Sequence, residues 1–279
     1  MNEELTVPND KVLYLDEKDK AITAKVVAAI NKIVQADTIF VMGRKENVTY
    51  NIFTDQRVAC RQISAWWLLI LITGDNKYHK VFQDEIEKKC SDTVPVSCIV
   101  MQTTTFQHWL NENSTFAFTV LLKAPVIHNL NPELEALRDK HLIETSIPEV
   151  DKKVFKKCAD LFKEYIAGAE LYTVRKHYKL ALFMCHQATE LLVTAFLKSQ
   201  TGLELHIHNI NNLNNYLSFL VPGIAEDFCG KSELEQESFR LLQKSYCAAR
   251  YDTGFSVKYK QLEITRQRLT QLVEALMAQ

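Results

Sequence analysis

The sequence contains few of the residues that interrupt helices, with 7 glycines and 6 prolines in 279 residues. This scarcity argues against a disordered chain and favours a helix-rich one. No apolar run approaches the ~20 residues needed to cross a bilayer, and the acidic start lacks the apolar stretch of a secretory signal. From these absences we expect a cytoplasmic protein that does not contact a membrane.

Neither the charge nor the cysteine content indicates a particular ligand. The net charge is -1 and the pI is about 6.7, so no overall basic field points to nucleic acid. The 7 cysteines are odd in number and include no Cys-x-x-Cys pair, so their spacing indicates neither a disulfide framework nor a zinc site. We therefore predict no bound metal and no cofactor.

The spacing of apolar residues divides the chain into two parts. Apolar runs alternate with amphipathic stretches as far as about residue 130, which predicts an α/β or α+β domain with a mixed sheet. The predicted strands are 38–42, 48–53, 66–72, 96–101 and 125–128, and the predicted helices are 17–36, 77–89, 106–110 and 115–122. Thr103, Thr104 and Thr105 offer caps for the third of these helices.

Strand signals are absent from Pro132 onward, which predicts an all-α second domain. We place the first domain at 1–140, a linker at 141–150 and the second domain at 151–279. The five predicted helices of the second domain are 151–172, 176–198, 212–220, 232–251 and 258–278. Ser232 and Glu235 have the spacing of a capping box, whereas Val221-Pro222-Gly223 predicts a break.

The helix predicted at 176–198 carries two stripes. The apolar stripe, which predicts a seam packed on other helices, contains Leu171, Val174, Tyr178, Ala181, Cys185, Ala188, Leu192 and Ala195. The mixed polar stripe contains Lys179, Phe183, His186, Glu190 and Thr194. We expect the polar stripe to face a cleft, a partner or solvent. For His186 and Glu190 the spacing leaves open a surface pair, a ligand cleft, or a metal site that adds His206 and His208.

Two motifs in this half resemble the HEPN domain family. Lys176-His177-Tyr178-x-x-Ala181-x-Phe183-x-Cys185-His186-Gln187-Ala188-x-Glu190, with His208-x-x-x-x-Leu213 after it, resembles the second helix of HEPN domains and its sequel. Tyr-Cys-Ala-Ala-Arg-Tyr at 246–251 resembles the end of the fourth helix. The resemblance covers about residues 150–278. It implies a five-helix bundle that dimerises and either binds nucleotides or cleaves RNA without a metal.

Ribonuclease members of that family carry an arginine followed, after four to six residues, by a histidine. Arginine steadies a phosphate and histidine moves protons near neutral pH. Arg250 matches the arginine, but Phe255, Ser256 and Val257 stand where the histidine belongs. The resemblance therefore implies binding more than cleavage.

The first domain resembles a minimal nucleotidyltransferase. In that family a Gly-Ser pair follows the first strand, and three carboxylates on later strands hold two divalent cations. Here Met42-Gly43-Arg44 follows the first strand, while Ala65, Trp67 and Ser97 stand at the carboxylate positions. The resemblance thus implies an inactive nucleotidyltransferase-like domain.

Our first hypothesis is a non-catalytic or regulatory protein that binds a nucleotide or RNA and forms a homodimer through the C-terminal bundle. It has no catalytic residue, and its binding residues are Lys179, His186, Glu190, Arg250 and Tyr251. One alternative is a metal-independent ribonuclease toxin fused to its antitoxin-like domain, with Tyr251 or His186 replacing the missing histidine. Another is a purely structural interaction module.

Overall fold

The computed structural model describes residues 17–45, 48–54, 58–59, 64–74, 79–144, 147–150 and 153–279. The chain forms two compact units, Met1–Ile147 and Pro148–Gln279. The first contains a mixed sheet with helices and the second contains helices. This confirms the predicted order of a mixed-sheet domain followed by a helical one.

The first unit is built around one sheet. Its strands are β1 (Ala36–Lys45), β2 (Val48–Asn51), β3 (Val58–Ala59), β4 (Ala65–Ile72), β5 (Val96–Gln102) and β6 (Val126–Asn129). Its helices are α1 (Glu17–Asn31), α2 (His79–Cys90), α3 (Thr103–Asn111), α4 (Thr115–Lys123) and α5 (Pro132–Glu144). The strand order is β3-β2-β1-β4-β5, and β6 also pairs with β1. Only β4 and β5 are parallel among these pairs.

Strand β4 is buried on both faces, which explains its unbroken apolar sequence. Trp66, Leu68, Ile70 and Ile72 belong to one core cluster with residues of α1, α2, β1 and β5. The opposite face carries Trp67, whose ring lies 5.5 Å from that of Phe53. The sheet is therefore a middle layer with packed side chains above and below it.

Three predictions for this unit are wrong in detail. Helix α1 ends at Asn31, and the Asn31 side chain accepts a hydrogen bond from the backbone N–H of Ala36, where β1 begins. Helix α3 already begins at Thr103, so the threonines do not cap it, and its N-cap residue Gln102 makes no side-chain cap. The Thr103 hydroxyl instead donates to Asp37 over 2.7 Å. Helix α5 continues through residues 141–144, the first part of the predicted linker.

The second unit contains six helices between residues 153 and 279. They are α6 (Lys153–Val174), α7 (Tyr178–Thr201), α8 (Ile210–Leu220), α9 (Pro222–Cys229), α10 (Glu233–Tyr251) and α11 (Tyr259–Met277). The five predicted helices are present, but α9 was missed. Pro222 is at the start of α9, where a missing N–H costs no hydrogen bond and the fixed φ suits a helix. The Pro-Gly pair therefore starts a helix where we predicted only a break.

Helix α7 is central because it packs against α6, α8, α10 and α11. The apolar stripe is confirmed within α7, where Ala181, Cys185, Ala188, Leu192 and Ala195 are buried. The part of the stripe predicted before α7 is wrong, because Leu171 and Val174 belong to α6 and are 52% and 81% exposed. The chain leaves α6 through a connection in which Lys176 has a φ of 60°, so no single helix carries the whole stripe.

The helix ends agree with the sequence signals. Gly202 ends α7 in the left-handed conformation with a φ of 75°. Ser232 and Glu235 form the predicted capping box at the start of α10.

By length and composition α7 is also the one described helix that could cross a membrane, but 61% of its apolar window is buried inside the protein.

Candidate functional site

In the first unit, the positions compared with a nucleotidyltransferase active site lie side by side. Gly43 on β1 pairs with Trp67 on β4, and Trp67 pairs with Ser97 on β5. The Phe53 ring, next to Trp67, stacks on Phe116 with centroids 5.8 Å apart. Aromatic side chains thus pack where the resemblance would place metal-binding carboxylates.

In the second unit, Arg250 is held at the C-terminal end of α10. Its Nε donates to the Tyr246 carbonyl over 2.8 Å. Its guanidinium carbon lies 4.4 Å from the Tyr246 ring centroid, 5.1 Å from Tyr251 and 5.4 Å from Phe183. Within the described part of the chain no carboxylate pairs with Arg250, and its two terminal nitrogens donate no hydrogen bond. The guanidinium is therefore oriented by aromatic rings and free to bind an anion.

Lys179 places a second cation next to the loop that follows α10. Its Nζ donates to the backbone carbonyls of Asp252 and Thr253 over 3.4 and 3.2 Å. These bonds join the start of α7 to the loop that follows α10. We call Lys179, Phe183, Tyr246, Arg250 and Tyr251 the Arg250 cluster.

A histidine–glutamate pair adjoins the cluster. The His208 ring stacks on Tyr246, with centroids 4.4 Å apart and planes at 13°. His208 Nδ1 lies 2.9 Å from Oε1 of Glu190. Because the carboxylate orients one ring nitrogen, the other faces away from Glu190, as in a carboxylate-oriented general base.

His186 is buried behind this pair. Its side chain is fully buried, and its Nδ1 lies 3.8 Å from Glu190 Oε2. Burial lowers the pKa of His186 to about 4; the charges of His208 and Arg250 act in the same direction and the His208 backbone opposes them. His186 is therefore neutral near pH 7 and cannot touch a ligand in solution.

The comparison with protein families matches residues 162–277 to the HEPN domain. These residues form a HEPN domain. It begins within α6, includes α7 to α10 whole and ends at the last residue of α11. The Arg250 cluster and the His208–Glu190 pair lie inside it. No curated protein gives a significant match to the chain.

One solved structure that aligns with most of the chain is a nucleotidyltransferase-like protein from Exiguobacterium sibiricum 255-15. It is 14% identical, and the alignment covers 92% of this chain and 74% of that protein with a TM-score of 0.28. A score of this size does not establish a shared fold.

The HEPN domain brings only some of the predicted site residues together. Lys179, Arg250 and Tyr251 are grouped at one end of α7 and α10, and Tyr251 is 78% exposed. Glu190 lies further along α7, next to His208. His186, by contrast, is a core residue and not part of a cleft wall. Among the described residues no group of His, Cys, Asp or Glu side chains is placed to hold a metal ion.

The sequence pattern did not identify Tyr246 as a site residue, and it indicated His208 only as a ligand of an alternative metal site. Both were quoted as parts of family motifs, which was the available signal. Their role depends on a contact between residues 38 positions apart in sequence. Spacing along one helix could not show that contact.

The HEPN domain also contains a groove between α6, α7 and the segment 202–209, which we call the α6–α7 groove. Its volume is about 370 Å³. Glu190, Thr194 and Lys198 of α7 line it, with Tyr165 of α6 and His208 of the segment. The polar stripe predicted for α7 thus runs from the Arg250 cluster at Lys179 into this groove at Thr194.

Proposed function

We propose that the HEPN domain binds a phosphate group of a nucleotide or of single-stranded RNA on Arg250, without carrying out catalysis. The observation that carries this proposal is the Arg250 guanidinium, which contacts three aromatic rings and pairs with no carboxylate of the described residues. Arginine binds phosphate through paired N–H donors, and aromatic rings next to cations stack with bases. Both kinds of group are present in the Arg250 cluster.

The first unit supports a non-catalytic function. Transfer of a nucleotidyl group needs carboxylates that hold divalent cations against the phosphates. Trp67 and Ser97, which pair across β4 and β5, offer an indole and a hydroxyl at those positions. Restoring a carboxylate there would place a charge in an aromatic core.

The test is binding of labelled single-stranded RNA and of nucleoside triphosphates to the full-length chain. A charge-assisted hydrogen bond contributes about 1.5–3 kcal/mol, so Arg250→Ala should weaken binding about tenfold or more. Arg250→Lys should be intermediate because lysine cannot bind in a paired fork. Removing a phosphate contact should also reduce the dependence of RNA binding on salt.

Arg240→Ala is the matched control, since Arg240 is also on α10 and exposed but lies outside the cluster. It should leave affinity within about twofold of the original. Equal effects of the two substitutions, or no binding of any nucleotide or RNA at millimolar concentration, would overturn the proposal.

The His208–Glu190 pair favours a second candidate function, metal-independent RNA cleavage. The two bases considered from the sequence were Tyr251 and His186. His186 does not fit this role because its side chain is buried. His208 is 48% exposed and oriented by Glu190, so it could take the proton of a ribose 2′-hydroxyl while Arg250 binds the phosphate.

Incubation of labelled RNA with the full-length chain and a metal chelator separates the two functions. A 2′,3′-cyclic phosphate product that is lost in His208→Gln but kept in His108→Gln, at an exposed position of the first unit, would establish cleavage. Intact RNA that still binds would leave the non-catalytic function alone.

A further inference from the structure

The α6–α7 groove has the size and lining of a small-molecule site. Its volume of about 370 Å³ lies within the range of ligand pockets in proteins. The Tyr165 ring, the Gln187 amide and the Thr194 hydroxyl are among the groups that line it. An aromatic ring with a few neutral polar groups suits a flat heterocycle with hydrogen-bonding edges.

The charged side chains of the groove are already paired. Glu190 bonds His208 over 2.9 Å, and Glu204 bonds Lys198 over 2.7 Å. The groove thus offers neither an unpaired carboxylate nor an unpaired lysine among these residues. This differs from the Arg250 cluster, where the guanidinium has no carboxylate partner in the described part of the chain. A neutral group fits the groove and an anion fits the cluster.

The groove and the cluster share one wall. His208 lines the groove and stacks on Tyr246, and Tyr246 contacts Arg250 at 4.4 Å. Along α7, Phe183 beside Arg250 and Glu190 beside the groove are separated by seven residues, or about 10 Å at ~1.5 Å per residue. A ligand with a neutral ring at one end and phosphates at the other can span that distance.

We propose that the α6–α7 groove binds the base and sugar of a nucleotide whose phosphates lie on Arg250. This rests on the proposed function, which concerns the phosphate alone. The nucleotide is either free or part of a single-stranded RNA, since both present a base next to a phosphate.

The experiment compares inorganic tripolyphosphate with the four ribonucleoside triphosphates, by calorimetry on the full-length chain. At least one nucleotide should bind tenfold or more tightly than tripolyphosphate. Thr194→Phe, which fills the groove, should remove that preference and leave the affinity for tripolyphosphate unchanged. A parallel series with short single-stranded RNA distinguishes a polymeric ligand from a free nucleotide.

Thr270→Phe is the matched control. The Thr194 and Thr270 hydroxyls each donate to the backbone carbonyl four residues earlier, over 2.7 and 3.2 Å. Thr270 is exposed on α11, so its substitution should leave nucleotide binding unchanged. Gln187→Ala is a second groove variant that adds no bulk, and it should weaken nucleotide binding several-fold without affecting tripolyphosphate.

The outcomes separate the two proposals. If no nucleotide or RNA binds more tightly than tripolyphosphate, or if both groove variants keep the preference, the groove proposal is overturned. Loss of tripolyphosphate binding in Arg250→Ala would still support the phosphate site. If neither tripolyphosphate nor any nucleotide or RNA binds, both proposals fall. Preference for RNA alone, lost in Thr194→Phe, supports the groove and identifies the polymer as its ligand.

Discussion

The imidazole of His208 stacks on the phenol ring of Tyr246, with ring centroids 4.4 Å apart and planes at 13°. His208 lies in the segment before α8, and Tyr246 lies in the last turns of α10. The same phenol ring contacts the Arg250 guanidinium. Tyr246 therefore fixes the wall of the α6–α7 groove and the arginine of the cluster at the same time.

Replacing Tyr246 with leucine should weaken the packing of both His208 and Arg250. Aromatic pairs contribute about 0.5–1.5 kcal/mol beyond their buried area, and an exposed cation–π contact contributes about 0.5–1 kcal/mol. We expect Tyr246→Leu to increase hydrogen exchange at 203–209 and at 246–251, and to weaken ligand binding. Tyr246→Phe keeps the ring and should change either quantity little. Unchanged exchange at 203–209 in the leucine variant would contradict this role.

His186 should make the HEPN domain less stable in mild acid. Its folded pKa is about 4, below the ordinary value of 6.5 for histidine, so the unfolded chain binds the proton first as the pH falls. The stability linked to the neutral imidazole is complete above about pH 7. It is lost between pH 6.5 and 4, by about 3 kcal/mol at ~1.4 kcal/mol per pKa unit.

Hydrogen exchange of α7 in the full-length chain between pH 7.5 and 4.5 measures this effect, after correction for the intrinsic exchange rate. His186→Gln should flatten the pH dependence whatever its effect at pH 7.5. His177→Gln, at an exposed position before α7, should keep the original slope. The same slope in all three proteins would show that carboxylates cause the acid sensitivity.

Glu87 should have the opposite pH dependence in the first unit. Burial raises its pKa from 4.5 to about 7, although the backbone N–H of Cys98 donates to its carboxylate. The stability linked to the protonated carboxyl is present below about pH 4.5 and is lost as the pH rises to 7. Glu87→Gln keeps the acceptor without the charge, and should stabilise this unit by about 2 kcal/mol at pH 8.

Tryptophan fluorescence during urea unfolding can follow that effect, because Trp66, Trp67 and Trp109 all belong to the first unit. The gain should shrink or disappear at pH 5. Glu85→Gln on the same helix is a control, since Glu85 is exposed. An equal gain at pH 5 and pH 8 would show that the effect is not due to the carboxylate charge.

The helices and strands that could be predicted from the sequence are those whose local sequence pattern agrees with their burial in the fold. Strand β4 is an apolar run buried on both faces, and α10 begins at a capping box. Helix α9 was missed because a Pro-Gly pair is compatible with both a break and a first turn. The extent of α3 was wrong because the Thr103 hydroxyl bonds Asp37, 66 residues away, and local pattern could not show this.

The candidate site was only partly predictable for the same reason. The period of α7 placed Lys179, His186 and Glu190 on one stripe, but burial of each depends on its neighbours from other helices. The Tyr246 ring lies 5.3 Å from the His186 ring, whereas Lys179 bonds the loop after α10. One stripe therefore contains a core residue between two accessible ones.

Helix α7 extends for 24 residues without interruption, which is about 36 Å at ~1.5 Å per residue. Phe183 beside the arginine and Thr194 in the groove both lie on this rigid helix, so the distance between them does not change when a ligand binds. The domain would thus select its ligands by length. A short anion or an isolated base can occupy either the Arg250 cluster or the groove, and only a molecule that reaches both sites gains binding free energy from both.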